Sequence, residues 1–208
     1  AIEKVLGRIR RDEKHRGGVA AGTLLYPEPD MVMIHDGLVG EAKRELDQAG
    51  IDRVYDPDKV MMVSDHDVLY GSPRAAERGA FNRKAAKTWK IKNFYDAGQG
   101  GHGHIFPMEN GLVLPGMFYF DNDTHATNAG AVCAFGMRVG NEISRVLGTG
   151  TTWITVPETI RLELRGRLPQ GVQARDIGFY MAREIKAGRL TFDLDYRILE
   201  YAGDLEQF

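Results

Sequence analysis

Cysteine is almost missing from this sequence: Cys133 is the one thiol in 208 residues. No internal disulfide can form, and neither a Cys-x-x-Cys nor a His-x-x-x-His pair occurs, so a self-contained zinc site has little support. Long apolar runs are lacking too, since none approaches the roughly 20 residues that span a bilayer. No excess of one charge is present. The net charge of −2 leaves no electrostatic footprint for nucleic acid, and the basic stretches 8–11 and 83–92 read as solvated helix faces. There is no internal repeat and no low-complexity segment. The amphipathic start, Ala1 to Leu6 with Glu3 inside it, reads as a helix and not as a signal or transit peptide. Reducing, cytoplasmic surroundings are expected.

What is present fits a globular protein. Hydrophobic residues make up 43% and charged residues 27%, without fibrous or disordered bias. A single domain over 1–208 is expected, with a subdomain edge in the turn-rich stretch 148–157. Short apolar runs alternate with longer helical patterns. The runs are Met31–Ile34, Val60–Val63, Ile91–Tyr95 and Met117–Phe120. The helical stretches are 2–9, 38–49, 73–89, 126–147, 174–187 and 195–202. Ile160, Leu162 and Leu164 alternate with charged residues, as in a half-exposed strand. The pattern predicts a three-layer α/β/α fold with a largely parallel sheet covered on both faces. Cys133 falls in the middle of the expected 126–147 helix and reads as a small buried residue. The glycines at 136 and 140 fall there too and read as packing contacts.

The polar residues are arranged along these runs. His35-Asp36-Gly37 follows the first run, and Ser64-Asp65-His66-Asp67 follows the second. Asp96 and the glycine-rich 98–104 follow the third, and Asp121-Asn122-Asp123-Thr124-His125 follows the fourth. Five of the six histidines (His35, His66, His102, His104 and His125) lie in these clusters. Parallel strands bind ligands at their carboxyl ends, so all four clusters are expected on one sheet edge. Helix capping is the competing explanation for any one of them, and Asp123 or Thr124 would cap the next helix well. Imidazole beside carboxylate suits general acid–base work or metal-assisted chemistry. The segment 98–103 lacks the Gly-Lys-Ser/Thr ending of a phosphate loop, which excludes a P-loop nucleotidase.

The order of motifs resembles the N-terminal domain of the aconitase family, particularly the large subunits of isopropylmalate dehydratase and homoaconitase. The resemblance rests on Asp30 through Asp36, on Asp65-His66, and on His104 through Gly116 with its Pro-Met-Glu-Asn-Gly and Leu-Pro-Gly elements. Asp123-Thr124-His125 stands at the Asp-Ser-His signature, and 156–161, 166–171 and 174–177 follow in the family's order. The resemblance implies a hydro-lyase acting on a 2-hydroxy di- or tricarboxylic acid of the isopropylmalate, aconitate or homoaconitate type. It implies that His66 protonates the leaving hydroxyl, oriented by Asp65. His104, Asp123 and His125 would surround the departing oxygen, and Thr124 and His35 stand at substrate-contacting positions. It also implies a [4Fe–4S] cluster, whose cysteine ligands this chain does not contain, so no metal ligand is expected here. The cluster-bearing and swivelling domains, or a separate small subunit, are expected as partners, and the chain alone is expected to be inactive. A homo-oligomer is a further expectation; nucleic acid and membrane are not expected as partners. The signature departs from the family at Asn122, Thr124 and Ala126, and His102 adds an imidazole. Two other functions fit the same residues: a non-catalytic remnant or assembly module of this fold, and a mononuclear-metal hydrolase built on the His/Asp edge.

Overall fold

A computed structural model of the chain describes residues 2–8, 18–138 and 142–190, together with the backbone of 197–202. The elements are α1 (Ile2–Arg8), β1 (Leu24–Leu25), β2 (Met31–His35), α2 (Val39–Gln48), β3 (Val60–Val63), α3 (Pro73–Trp89), β4 (Asn93–Tyr95), α4 (Phe106–Glu109), β5 (Phe118–Asp121), β6 (Phe135–Arg138), α5 (Ile143–Thr149), β7 (Ile154–Thr155), β8 (Glu158–Glu163), α6 (Ala174–Lys186) and β9 (Arg197–Ala202). Short 3-10 helices lie at Pro57–Lys59 and Thr124–Val132. The chain divides into two compact units, 1–154 and 155–208.

The first unit is built on a five-stranded, wholly parallel sheet in the order β4-β3-β2-β5-β6. β2, β3 and β5 are buried at every residue, which is why their sequences are continuously apolar and do not alternate. Successive side chains still point to opposite faces. On one face Met31, Met33, Met61, Val63 and Tyr119 pack with Val113, Ala126, Ala129 and Ala134. On the other, α5 packs against β2 and α2, and α2 packs against α3. Burial of each large side chain in such a core contributes about 1.5–3 kcal/mol. Ser72 starts α3: its hydroxyl accepts the Ala75 N–H, and Pro73 occupies the first helical turn, where its missing N–H costs nothing. Asp30 fixes the start of β2 against β5. Its N–H donates to the Phe118 carbonyl at 2.9 Å and its carboxylate accepts the Phe118 N–H at 2.8 Å.

Three expectations from the sequence are corrected here. The stretch 126–147 is not one helix. A 3-10 helix ends at Val132, Cys133 turns the chain with φ 59, β6 follows, and α5 begins only at Ile143. The cause is close packing: a Cβ on Gly136 would lie 1.9 Å from the Ala126 carbonyl oxygen, so the chain doubles back where the glycine lets two backbones meet. Gly136 is therefore a packing contact, but on a strand; Gly140 lies outside the described residues. Cys133 is exposed and not buried in a helix. The third correction concerns 195–202. Residues 195 and 196 lie outside the described residues, but 197–202 form β9, which pairs in parallel with β8 from Glu158↔Arg197 to Glu163↔Ala202. Pairing supplies β8 with the ladder that a lone strand lacks. In this second unit, α6 starts where the Asp176 carboxylate accepts the Gln173 N–H at 2.8 Å.

Candidate active site

Because β2 to β5 run parallel, the loops that follow them emerge at one edge of the sheet. The register aligns His35 with Val63 and Val63 with Tyr95. The first loop then donates Asp36 N–H to the Val63 carbonyl, and the second donates Ser64 N–H to the Tyr95 carbonyl. The edge is thus stitched together before any side chain is considered.

His35 lies at the centre. It is 3% exposed. Its Nδ1 is 3.1 Å from both oxygens of Asp65, and its Nε2 is 3.5 Å from Asp121 Oδ2. Its backbone N–H donates to Asn122 Oδ1. Asp65 also accepts the Gly103 N–H at 2.8 Å and faces His66 Nδ1 at 2.7 Å. Asp36 lies behind, its Oδ2 accepting the backbone N–H groups of His66 and Asp67. Asn82 on α3 donates to the Asp36 carbonyl. Residues from β2, α3, β5 and the loops after β3 and β4 therefore converge on one group of carboxylates.

A second group adjoins it. The His104 ring lies 4.5 Å from the rings of His35 and His125. His104 Nε2 is 3.6 Å from Asp123 Oδ1, and the same oxygen is 2.5 Å from His125 Nδ1. Asp123 caps the following 3-10 helix by accepting the His125 N–H at 2.8 Å. Capping and site geometry are thus combined in one residue. Thr124 is exposed beside it. His102 Nδ1 accepts the His104 N–H at 3.4 Å. The side chains of His66 and His125 are 54% and 61% exposed, so these two form the open surface, and His35, Asp65 and Asp121 form its floor.

The electrostatics follow from the burial. Burial alone would lower the His35 pKa, but Asp121 and Asp65 outweigh it and push it up to about 10. Asp65 is held well below the usual carboxylate range, because His35, Gly103 and His66 overcome its desolvation. Burial pushes Asp121 up against the pull of His35. Burial and the neighbouring positive charge of His35 together take His104 down to about 4. Asp123 is lowered to about 2, where its hydrogen bonds from His125 outweigh desolvation. The two neighbouring rings are thus pushed in opposite directions, His35 toward its protonated form and His104 toward its neutral one.

The sequence-derived candidates Asp65, His66, His104, Asp123, Thr124, His125 and His35 all lie along this edge. Asp36, Asp121, Asn122 and Gly103 were not singled out as site residues, although each holds a site side chain or closes over one. A strand ending in aspartate, as β5 does, was the available signal for Asp121. Three donor sets bring their atoms within 4.8 Å of one another: His35, His66 and His104; His104, Asp123 and His125; and Asp36, Asp65 and His66. An iron–sulfur cluster does not fit the residues of this chain, because such clusters are held by several thiolates. Cys133 stands alone. Its carbonyl accepts the Gly116 N–H just before β5 begins, which places it at the opposite edge of the sheet from the histidines.

Among the described residues, no helix is long and apolar enough to cross a membrane. Known proteins share this sequence over its length. It matches the aconitase family (aconitate hydratase) over residues 3–207. It is 36% identical over 203 residues to a 3-isopropylmalate dehydratase large subunit of Herpetosiphon aurantiacus, covering 97% of this chain and 46% of the relative. It is 33% identical over 204 residues to 3-isopropylmalate dehydratase large subunit 1 of Methanopyrus kandleri, covering 98% of this chain and 46% of that one. A large subunit from Thermoanaerobacter pseudethanolicus is 35% identical over 189 residues, 90% of this chain and 44% of its own length. The chain thus spans a little under half the length of these curated relatives. With the match running from the first helix almost to the last residue, through every loop that carries the clustered side chains, the chain belongs to the aconitase family.

Proposed function

We propose that this chain carries the histidine-bearing part of a hydro-lyase that removes water from, or adds it to, a 2-hydroxy di- or tricarboxylic acid. The observation that carries the proposal is the pairing of His66 with Asp65. The Asp65 carboxylate is buried and faces His66 Nδ1 at 2.7 Å, while the ring itself is 54% exposed. A carboxylate on Nδ1 fixes the ring and leaves Nε2 to exchange a proton with a substrate hydroxyl. His104, kept neutral, can accept a hydrogen bond beside it. Asp123 orients His125 on the other side of the opening. Thr124 would touch the substrate. The relatives are large subunits by name, so a small subunit or further domains are proposed to complete the enzyme. The thiolates of a [4Fe–4S] cluster would come from outside this chain, and the cluster would supply Lewis-acid polarisation of the substrate hydroxyl.

The test combines this chain with the remaining enzyme or partner polypeptide under anaerobic conditions with iron and sulfide. Visible absorption and dehydration of isopropylmalate, citrate and homocitrate are then measured. Cluster absorption and turnover should appear only in the combined sample. His66→Ala should lower kcat by about 10²–10⁴-fold and leave the visible spectrum unchanged. Full turnover by the His66→Ala enzyme would sink the proposal, as would the lack of dehydration in every combination.

A further inference from the structure

His35 stands where the family resemblance implies a substrate contact, yet its surroundings suit a different task. The ring is shut off from the opening. Gly103 lies over it so closely that a Cβ there would meet His35 Cε1 at 2.6 Å and Asp65 Oδ2 at 2.8 Å. Both ring nitrogens already face carboxylates, Nδ1 toward Asp65 and Nε2 toward Asp121. Nδ1 is taken by Asp65; Nε2 and Asp121 Oδ2 are both buried, lie 3.5 Å apart, and make no closer contact with another polar group among the described residues. The side chain is anchored through its own backbone too, by the hydrogen bond from His35 N–H to Asn122.

We infer that His35 is a positioning residue: lodged between Asp65 and Asp121, it fixes the Asp65 carboxylate so that Asp65 holds His66 by Nδ1 and turns His66 Nε2 to the open side of the site. This deepens the hydro-lyase reading and rests on it for its catalytic meaning, although the geometry itself does not depend on that reading. The argument begins with saturation. Asp65 has two oxygens and three partners: His35 and His66 at Oδ1, His35 and the Gly103 N–H at Oδ2. A carboxylate with one partner could rotate; one gripped on both oxygens from β2 and from the loop after β4 cannot. His66, exposed and adjacent in sequence, thereby receives a stationary acceptor. The chemistry of the ring follows from the same geometry. A neutral imidazole has one N–H, and only the doubly protonated form presents one to Asp65 and one to Asp121 at once. Removing the ring would leave two buried carboxylates facing each other without a cation, a costly arrangement. His35 therefore joins β2, β3 and β5 at the level where the site begins. The raised His35 pKa accords with this.

The experiment is histidine-ring nitrogen NMR on the 208-residue chain labelled with 15N-histidine, which needs neither cluster nor substrate. At pH 7.5 the buried His35 ring should show two N–H-type nitrogens, and His66 the pattern of the Nδ1–H tautomer. In His35→Gln, with folding checked by circular dichroism, His66 should lose that tautomer preference. Asp121→Asn is the companion variant, close in shape to the native residue. It should leave His66 as Nδ1–H, because Asp65 remains gripped by His35, and it should allow His35 to lose a proton within the titrated range. A His35 ring with one bare nitrogen at pH 7.5 overturns the inference. So does a folded His35→Gln chain whose His66 tautomer is unchanged. If His35→Gln does not fold, the wild-type pattern and Asp121→Asn decide: a His35 ring indifferent to Asp121 overturns the inference equally. In the complete enzyme, His35→Gln should lower kcat about 10- to 100-fold, the usual cost of losing an orienting partner, with KM little changed. An enzyme that dehydrates no hydroxy acid, beside the expected NMR pattern, would refute the hydro-lyase reading and leave the positioning of His66 standing.

Discussion

Two histidines 4.5 Å apart are pushed in opposite directions by their surroundings, and that difference sets how stability should vary with pH. His35 is raised to about 10 from an ordinary 6.5, because Asp121 and Asp65 outweigh its burial. A raised pKa contributes stability that is complete below the unfolded value, and that stability is lost as pH climbs from 6.5 toward 10. His104 is lowered from 6.5 to about 4 by burial and by the charge of His35. Its contribution is complete above 6.5 and is lost as pH falls toward 4. Asp123, lowered from 3.8 to about 2, adds a further loss below pH 4. The melting temperature should therefore peak between about pH 6 and 7 and fall on both sides. Calorimetry from pH 4 to 10 checks this. A melting temperature unchanged between pH 6.5 and 9.5 would show that His35 is not the charged member of the pair. At this scale the sequence was informative about which side chains gather and silent about which are buried. Asp65 and His66 are neighbours in the chain, yet the first is floor and the second is surface, a difference decided by how the loop leaves β3 and not by residue type.

The segment from Asp123 to Thr149 shows how one glycine decides an element. Apolar spacing across 126–147 suits a helix, but a straight helix cannot let Gly136 approach the Ala126 carbonyl as closely as the sheet requires. The chain instead makes a 3-10 helix, a left-handed turn at Cys133, and β6. Gly136→Ala forces a methyl group into that backbone contact and should cost about 3 kcal/mol, at the upper end for overpacking. Urea denaturation measures it, and a loss below about 1 kcal/mol would mean that the two backbones separate easily. The other elements of the sheet were legible for the opposite reason. β2, β3 and β5 are covered on both faces, so their apolar runs could be read without knowing their neighbours. Strand β9 was not legible, because residues 197–202 acquire their conformation from pairing with β8, a partner distant in sequence. Local pattern succeeds where burial is uniform and fails where a distant partner determines the state.

All the clustered side chains, from His35 to His125, belong to the unit 1–154, and so do all five strands of the parallel sheet. Among the described residues, the ladder of this sheet is complete without 155–208: β4 and β6 are its edges, and both lie before residue 139. The two layers that cover it, the 3-10 helix with the segment around Val113 on one face and α2, α3 and α5 on the other, are also drawn from this unit. Parallel architecture made this expectation possible from the sequence, since each apolar run followed by a polar cluster and a helix is one repeat of the same winding. It follows that residues 1–154 should fold without the rest of the chain. Expressed alone, they should give an α/β circular dichroism spectrum, one cooperative urea transition and the same His35 and His66 ring-nitrogen pattern as the 208-residue chain. A 1–154 chain that is unfolded, or that melts without cooperativity, would mean that the second unit supplies part of the core on which the site is built. A folded 1–154 chain that retains the histidine pattern would place the whole proton-handling edge within one independently stable unit, and would make its recombination with a cluster-bearing polypeptide the shortest route to measuring turnover.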